Sequence, residues 1–93
     1  MSRTDAVITT IPAGSQVIEF RIHRSRGAGR LDVIGIPDAL AKSTAQRVSD
    51  ALGGLPKCRC VARVVRPGGA YASEEVDAAI VAALVKFAPE VCG

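Results

Sequence analysis

The sequence predicts an α+β domain in which four strands form one sheet and two helices cover one face of it. The clearest strand runs from Gln16 to His23, where apolar and polar residues alternate and so predict one buried face and one polar face. Two later segments carry apolar residues at spacings of three and four, the period of an amphipathic helix. Elements with one apolar side each pack into two layers. The length of 93 residues fits a single domain, 1–93.

The elements follow one another as strand, strand, strand, helix, strand, helix (β-β-β-α-β-α). Strands are predicted at 6–11, 16–23, 30–36 and 57–66, and helices at 38–52 and 73–87. Pro89 is expected to end the second helix, because proline lacks the amide hydrogen that a helix needs. Residues 1–5 are expected to form a flexible N-terminus and residues 88–93 a C-terminal tail.

The segment from Ile34 to Gly54 contains the end of a strand, a turn and one whole helix. Pro37 ends the strand and suits the first turn of a helix, and Asp38 places a carboxylate beside unpaired amides. Gly53 and Gly54 supply the left-handed residue that commonly stops a helix. The apolar stripe of this helix consists of Ala41, Ala45, Val48 and Leu52.

The second helix carries two apolar stripes. Ser73 is expected to cap its first turn. The stripe expected to face the sheet consists of Val76, Ile80, Ala83, Leu84 and Phe87. The other stripe consists of Ala78, Val81, Ala82 and Val85. Because a surface helix of a monomer would be polar there, this second stripe is expected to be an interface with a second copy in a homodimer, or with a partner protein.

The composition disfavours several classes of protein. With only Phe20, Tyr71 and Phe87 as aromatic residues, a base-stacking platform for single-stranded nucleic acid is not expected. Residues 1–5 lack the apolar core of a signal peptide, and no apolar run approaches the roughly 20 residues that cross a bilayer. An odd number of cysteines, three, fits a reducing compartment better than a disulfide scaffold. These features predict a cytoplasmic location and no membrane partner.

Four segments arrive in an order that resembles a known family. They are Val17-Ile-Glu-Phe-Arg-Ile22, a glycine-containing hairpin, Val33-Ile-Gly-Ile-Pro-Asp-Ala39, and Lys42 followed by Arg47-Val-Ser-Asp-Ala-Leu52. Over residues 11–87 the chain resembles the N-terminal domain of magnesium-chelatase-like bacterial ATPases, including the competence-associated helicase branch. It departs from the family pattern at Lys42-Ser43-Thr44, where the family has Lys-Glu-Ser, and after Gly53, where an Asn-Leu-Ala-Pro segment is absent. The alternative is two generic β-α units that share a Gly-x-Pro-Asp turn.

The resemblance implies a fold that is also seen in a small-subunit ribosomal protein, the Lon protease catalytic domain and the bacterial ribonuclease P protein. In that fold the helical crossover is left-handed, against the usual right-handed rule. The ATPases of the family need a phosphate-binding loop of the form G-x-x-x-x-G-K-[ST], which this sequence does not contain. The resemblance therefore implies an accessory domain, and no ATPase activity is expected of this chain.

Three arrangements of reactive residues have to be weighed. Ser73 resembles the serine of Lon-type proteases, but Lys86 lies more than three turns further along the predicted helix, so Ser73 is interpreted as a helix cap. Gly68-Gly69 precedes the second helix and is a weak candidate for a phosphate site. A zinc site could nominally use Cys58, Cys60, Cys92 and His23, but buried cysteines that act as small apolar residues are the favoured interpretation. No catalytic, cofactor or metal site is therefore assigned.

Basic residues concentrate on the second hairpin and the fourth strand. The candidate binding residues for nucleic acid or an acidic partner are Arg21, His23, Arg24, Arg26, Arg59 and Arg63, with Arg30 and Arg66 nearby. An ordinary solvated sheet face, diluted by Glu19 and Asp32, is the alternative. We expect a non-enzymatic, stand-alone accessory domain that binds a larger protein, such as an ATPase, or a nucleoprotein machine. The alternatives are an RNA- or DNA-binding module that uses the basic face, to which the net charge of +3 lends weak support, and an enzyme fragment that needs a partner chain.

Overall fold

The computed structural model describes residues 5–65 and 71–92. Its elements are β1 (Ala6–Ala13), β2 (Gln16–Arg24), β3 (Arg30–Ile34), α1 (Asp38–Leu52), β4 (Cys58–Val64) and α2 (Ser73–Val91). This order confirms the predicted α+β class, with four strands and two helices in the expected succession.

The four strands form one mixed sheet in the order β1-β2-β4-β3. The β1–β2 and β2–β4 pairs are antiparallel, whereas β3 runs parallel to β4. Parallel neighbours need a crossover connection, and α1 provides it between β3 and β4. The left-handed sense of this crossover, which the family resemblance implies, stays a prediction.

Both helices lie on the same face of the sheet, and the core lies between them and the strands. Ile18, Phe20 and Ile22 of β2 are fully buried there, and the Phe20 ring lies 6.2 Å from the ring of Phe87 in α2. From the helices, the core receives Val48, Val76, Ile80, Ala83, Leu84, Ala88 and Val91. The opposite side of the sheet is uncovered by either helix, and we call it the open face.

The predicted end of the second helix is wrong. Helix α2 continues through Pro89 to Val91, so residues 88–91 are helical and do not form a tail. The side chain of Val91 is fully buried, and the backbone N–H of Cys92 donates a 2.7 Å hydrogen bond to the carbonyl of Ala88. A proline in the last turn removes one hydrogen bond, and the burial of Val91 offsets that loss. The expectation for residues 1–5 falls almost wholly outside the described residues.

The predicted cap of α2 is also wrong. The N-cap residue is Ala72, and no side-chain cap hydrogen bond occurs at this helix end within the described residues. The backbone N–H of Ala72 instead donates a 3.1 Å hydrogen bond to the side-chain oxygen of Gln16, a residue buried at the start of β2. A distant strand thus binds the amide of the N-cap residue itself, whereas a Ser73 cap would have accepted from amides further along the first turn.

Several strand boundaries differ by one or two residues from those predicted. Strand β1 extends through Pro12 to Ala13, which is tolerated because β1 is an edge strand. Strand β3 ends at Ile34, because Gly35 takes a left-handed φ of 89°. Residues 67–70, between the predicted fourth strand and second helix, lie outside the described residues.

A disulfide joins Cys58 at the start of β4 to Cys92 at the end of α2. Their Cα atoms are 5.8 Å apart, within the range that disulfides span. The interpretation of the cysteines as buried residues that act only as small apolar side chains is therefore corrected for Cys58 and Cys92, and Cys60 is the free cysteine. The two cysteines are distant in sequence, and only the return of α2 over the sheet brings them together.

Polar contacts join α1 to α2 and to Tyr71, which lies just before α2. Thr44 is fully buried, and its hydroxyl lies 2.9 Å from the hydroxyl of Tyr71. Arg47 forms an ion pair with Asp77 of α2, and that hydrogen bond raises the pKa of the guanidinium above its ordinary value. The predicted apolar stripe of α1 did not include Thr44, because threonine carries a hydroxyl and was not counted as an apolar residue.

Candidate docking surface on the open sheet face

The open face is built from alternate residues of the four strands. They are Ile8 and Thr10 from β1, Glu19, Arg21 and His23 from β2, Arg59, Val61 and Arg63 from β4, and Arg30, Asp32 and Ile34 from β3. Their neighbours in each strand point to the helices, since side chains alternate across a strand, and except for the exposed Arg24 at the end of β2 they are buried or half-buried. The alternation of side chains along each strand thus places one set of residues in the core and the other set on the open face.

The strand register brings together four of the six predicted binding residues. His23 of β2 is opposite Arg59 of β4, and Arg21 lies one alternate position further along β2. Arg63, further along β4, is opposite Glu19 and lies 3.6 Å from its carboxylate. Side chains opposite one another on adjacent strands are near neighbours, so these residues share one surface.

The other two predicted binding residues lie elsewhere. Arg24 belongs to the helix side of β2, where its Nε donates a 3.4 Å hydrogen bond to the carbonyl of Val91. This placement corrects the grouping of Arg24 with the basic face, because Arg24 holds the end of α2 instead. Arg26 lies in the loop between β2 and β3, at one end of the sheet. Arg66 lies outside the described residues.

Apolar side chains on the open face were missed by the sequence analysis. Ile8 is 70% exposed and Ile34 is 45% exposed, although both are β-branched aliphatic residues. With the half-buried Val61 they line a shallow groove of about 530 Å³, whose polar walls are Glu19, Arg21 and Arg63. The sequence offers no clear signal for them, because β1 and β3 have apolar residues at successive positions. Such strands show apolar side chains on both faces, and the exposed face cannot be recognised from alternation.

The charges of the open face are unequally paired. Of its four arginines, Arg63 pairs with Glu19, and Arg30 donates to both carboxylate oxygens of Asp32 at 3.0 and 3.1 Å. Within the described part of the chain, Arg21 and Arg59 make no ion pair. The two carboxylates of the face are thus already engaged by arginines, and positive charge remains in excess.

The predicted interface on α2 is smaller than expected. Ala78, Ala82 and Val85 are exposed, and Val85 is 62% exposed. Val81 is only half-buried by its own chain and packs against the core. Val81 therefore contributes less to an outer stripe than its spacing suggested.

The arrangements considered for catalysis and metal binding do not assemble. Lys86 lies roughly three and a half turns along α2 from Ser73, and its Nζ is 5.2 Å from the centroid of the Phe87 ring. His23 lies on the open face, whereas Cys58 and Cys60 face the helices, so these residues cannot share a zinc ion. No group of three His, Cys, Asp or Glu residues suited to a metal ion occurs in the described ranges. Gly68-Gly69 lies outside them.

Burial also affects the remaining thiol. Cys60 is buried beneath the helices, and desolvation raises its pKa from 9.0 to about 12. The thiol therefore stays protonated at neutral pH and is a poor nucleophile.

No helix within residues 5–65 and 71–92 has the length and apolar character needed to cross a membrane. Comparisons of the chain with protein-family models, with curated proteins and with solved structures found no match. The resemblance to magnesium-chelatase-like ATPases thus rests on the sequence motifs alone and stays a prediction.

Proposed function

We propose that this chain is a non-enzymatic accessory domain that docks onto a larger protein through its open face. The observation that carries this proposal is the groove lined by exposed Ile8 and Ile34 together with Arg21, which lies opposite Ile8 and makes no ion pair within the described residues. The partner is expected to offer aliphatic side chains beside one or more carboxylates.

The apolar residues are the first argument for a protein partner. A sheet can leave one face in water, but such a face is normally polar. Here Ile8, Val61 and Ile34 interrupt the polar surface, and each would contribute on the order of 1.5 kcal/mol if a partner buried it fully. Two layers of secondary structure are complete without covering them.

Charge complementarity is the second argument. An arginine next to apolar surface binds a carboxylate well, because its planar guanidinium donates two parallel hydrogen bonds. Arg21 has no acidic partner within the described chain and lies opposite Val61 of β4 and Ile8 of β1. No aromatic side chain lies on this face of the described sheet, which makes the groove unsuited to stacking of nucleic-acid bases.

A cytoplasmic location belongs to this proposal and rests on the sequence. In a reducing compartment the Cys58–Cys92 disulfide would be in exchange with thiols, since cytosolic disulfides are mostly transient. The proposed partner, such as an ATPase or a nucleoprotein complex, is inferred from the family resemblance.

The proposal is tested by affinity capture with three baits. Wild type, Ile8→Asp combined with Ile34→Asp, and Val85→Asp would each be immobilised, and captured proteins would be repurified for calorimetry. We expect a protein that binds wild type and the Val85 variant and loses at least tenfold in affinity for the double variant. A partner that binds all three baits equally would show that the open face is not the docking surface.

A further inference from the structure

We propose that one end of the open face binds the phosphate backbone of a nucleic-acid duplex, separately from the groove. The site is a row of basic residues that crosses three strands. His23 of β2 is opposite Arg59 of β4, and Arg59 is in register with Arg30 of β3. We call these three residues the basic row.

Two further cations stand at the same end of the sheet. Lys57 immediately precedes β4, and its carbonyl accepts a hydrogen bond from the backbone N–H of Ser25 in the β2–β3 loop. Arg26 follows in that loop, and both Lys57 and Arg26 are exposed. The end of the sheet that holds the basic row is therefore also the end that gathers the loop cations.

The basic row is neutralised only in part, by the ion pair of Arg30 with Asp32. Like charges placed opposite one another on adjacent strands repel, so Arg59 beside Arg30 is unfavourable without an anion. Asp32 engages only the Nε of Arg30, and the two terminal nitrogens of that guanidinium make no hydrogen bond within the described residues. Asp5, whose carbonyl accepts from the backbone of Arg24, forms no ion pair with the row.

The spacing of the row indicates a polyanion rather than one phosphate. Adjacent strands are about 4.8 Å apart, so three residues across three strands extend over roughly 10 Å. Successive phosphates of a nucleic-acid strand are displaced about 3.4 Å along its axis and also rotated around it, so a row of this length reaches more than one phosphate. A single phosphoryl group on a protein would instead need side chains that converge on one point. Since the open face has no aromatic side chain, contact with the backbone without base recognition is expected.

The experiment measures binding of the intact chain to labelled duplexes of about 20 base pairs, as DNA and as RNA, by fluorescence anisotropy at several salt concentrations. With three cations of this end of the sheet engaged, namely Arg30, Arg59 and Lys57, the logarithm of the association constant should fall with the logarithm of salt concentration at a slope near −2.7 for DNA. Replacing Arg59→Gln should lower the slope by about one unit and weaken binding roughly tenfold at low salt. The matched control is Arg63→Gln, which makes the same charge change on the same strand and face, beside Glu19.

Each outcome is decisive. Binding of either duplex that Arg59→Gln weakens and Arg63→Gln leaves within about twofold supports the basic row, and unchanged unfolding midpoints would show that both variants are folded. The proposal is overturned if wild type binds neither duplex at low salt, or if both variants lose affinity equally. It is also overturned if a phosphopeptide or pyrophosphate binds at this row while the duplexes do not.

Discussion

Breaking the Cys58–Cys92 disulfide is expected to lower the free energy of unfolding by about 4 kcal/mol. The bond closes a loop with a sequence separation of 34 residues. In the chain-entropy account, opening a loop of this length restores freedom to the unfolded chain worth about 4 kcal/mol. A domain of this size has a total stability on the order of 5–14 kcal/mol, so reduction removes a large share of it.

The measurement is urea denaturation with and without a dithiol reductant. For a slope of about 1–1.5 kcal/mol per molar urea, a loss of about 4 kcal/mol corresponds to a midpoint lowered by about 3–4 M. The last turn of α2 should be affected most, because Pro89 weakens its hydrogen bonding and the disulfide holds its end. Faster hydrogen exchange at Val91 and Cys92 would report that local change.

The Cys92→Ser variant is the matched control. It should unfold at the midpoint of reduced wild type, and added reductant should not change it further. The reasoning is refuted if thiol counting shows full reduction of wild type while its urea midpoint stays within about 0.5 M of the oxidised value.

Three other predictions concern single side chains. Because burial raises the pKa of Cys60 to about 12, its thiol should resist alkylation at pH 8.5 in the folded protein, and rapid alkylation of the native protein would contradict this. The free energy of unfolding should also fall as pH rises from about 9 towards 12, because the folded state holds the thiol proton more tightly than the unfolded state does. Replacing Thr44→Val should lower the free energy of unfolding, measured by urea denaturation, by about 1 kcal/mol, because the Tyr71 hydroxyl loses its partner at 2.9 Å. Combining Thr44→Val with Tyr71→Phe should lower it by less than the sum of the two single changes. If the outer face of α2 pairs with a second copy, light scattering should show dimers of wild type and monomers of Val85→Asp, and a wild type that stays monomeric at high concentration would contradict this.

The parts of the fold that the sequence could predict are those that depend on local pattern. The alternation from Gln16 to His23 predicted both faces of β2, and the spacing of Ala41, Ala45 and Val48 predicted the buried side of α1. The glycine at position 53 adopts the expected left-handed conformation, with φ of 71°, at the end of α1. In each case the physical cause lies within a few residues along the chain.

The errors have non-local causes. Pro89 did not end α2, because burial of Val91 and the bond from Cys92 to Cys58 hold the last turn. The N-cap of α2 is Ala72 and not Ser73, and the backbone N–H of Ala72 donates to Gln16, which lies 56 positions away in the sequence. No window of local sequence contains both partners of these contacts, so propensity alone gave the wrong boundary.

The candidate site was predicted only in part. Arg21, His23, Arg59 and Arg63 lie on one face, as the period of two suggested, but Arg24 falls on the helix side by the same rule. The apolar half of the site was not predicted. Ile8 and Ile34 lie in strands with apolar residues on both faces, and a sequence cannot show which of those faces the helices will cover.

The most direct test of the docking surface is to map it by NMR with the purified partner. Amide shifts of ¹⁵N-labelled chain would be followed as the partner is added. The proposed function predicts changes clustered at Ile8, Arg21, Val61 and Ile34, the residues of the groove. Changes confined to the outer face of α2, around Ala78, Ala82 and Val85, with the open face unaffected, would contradict it.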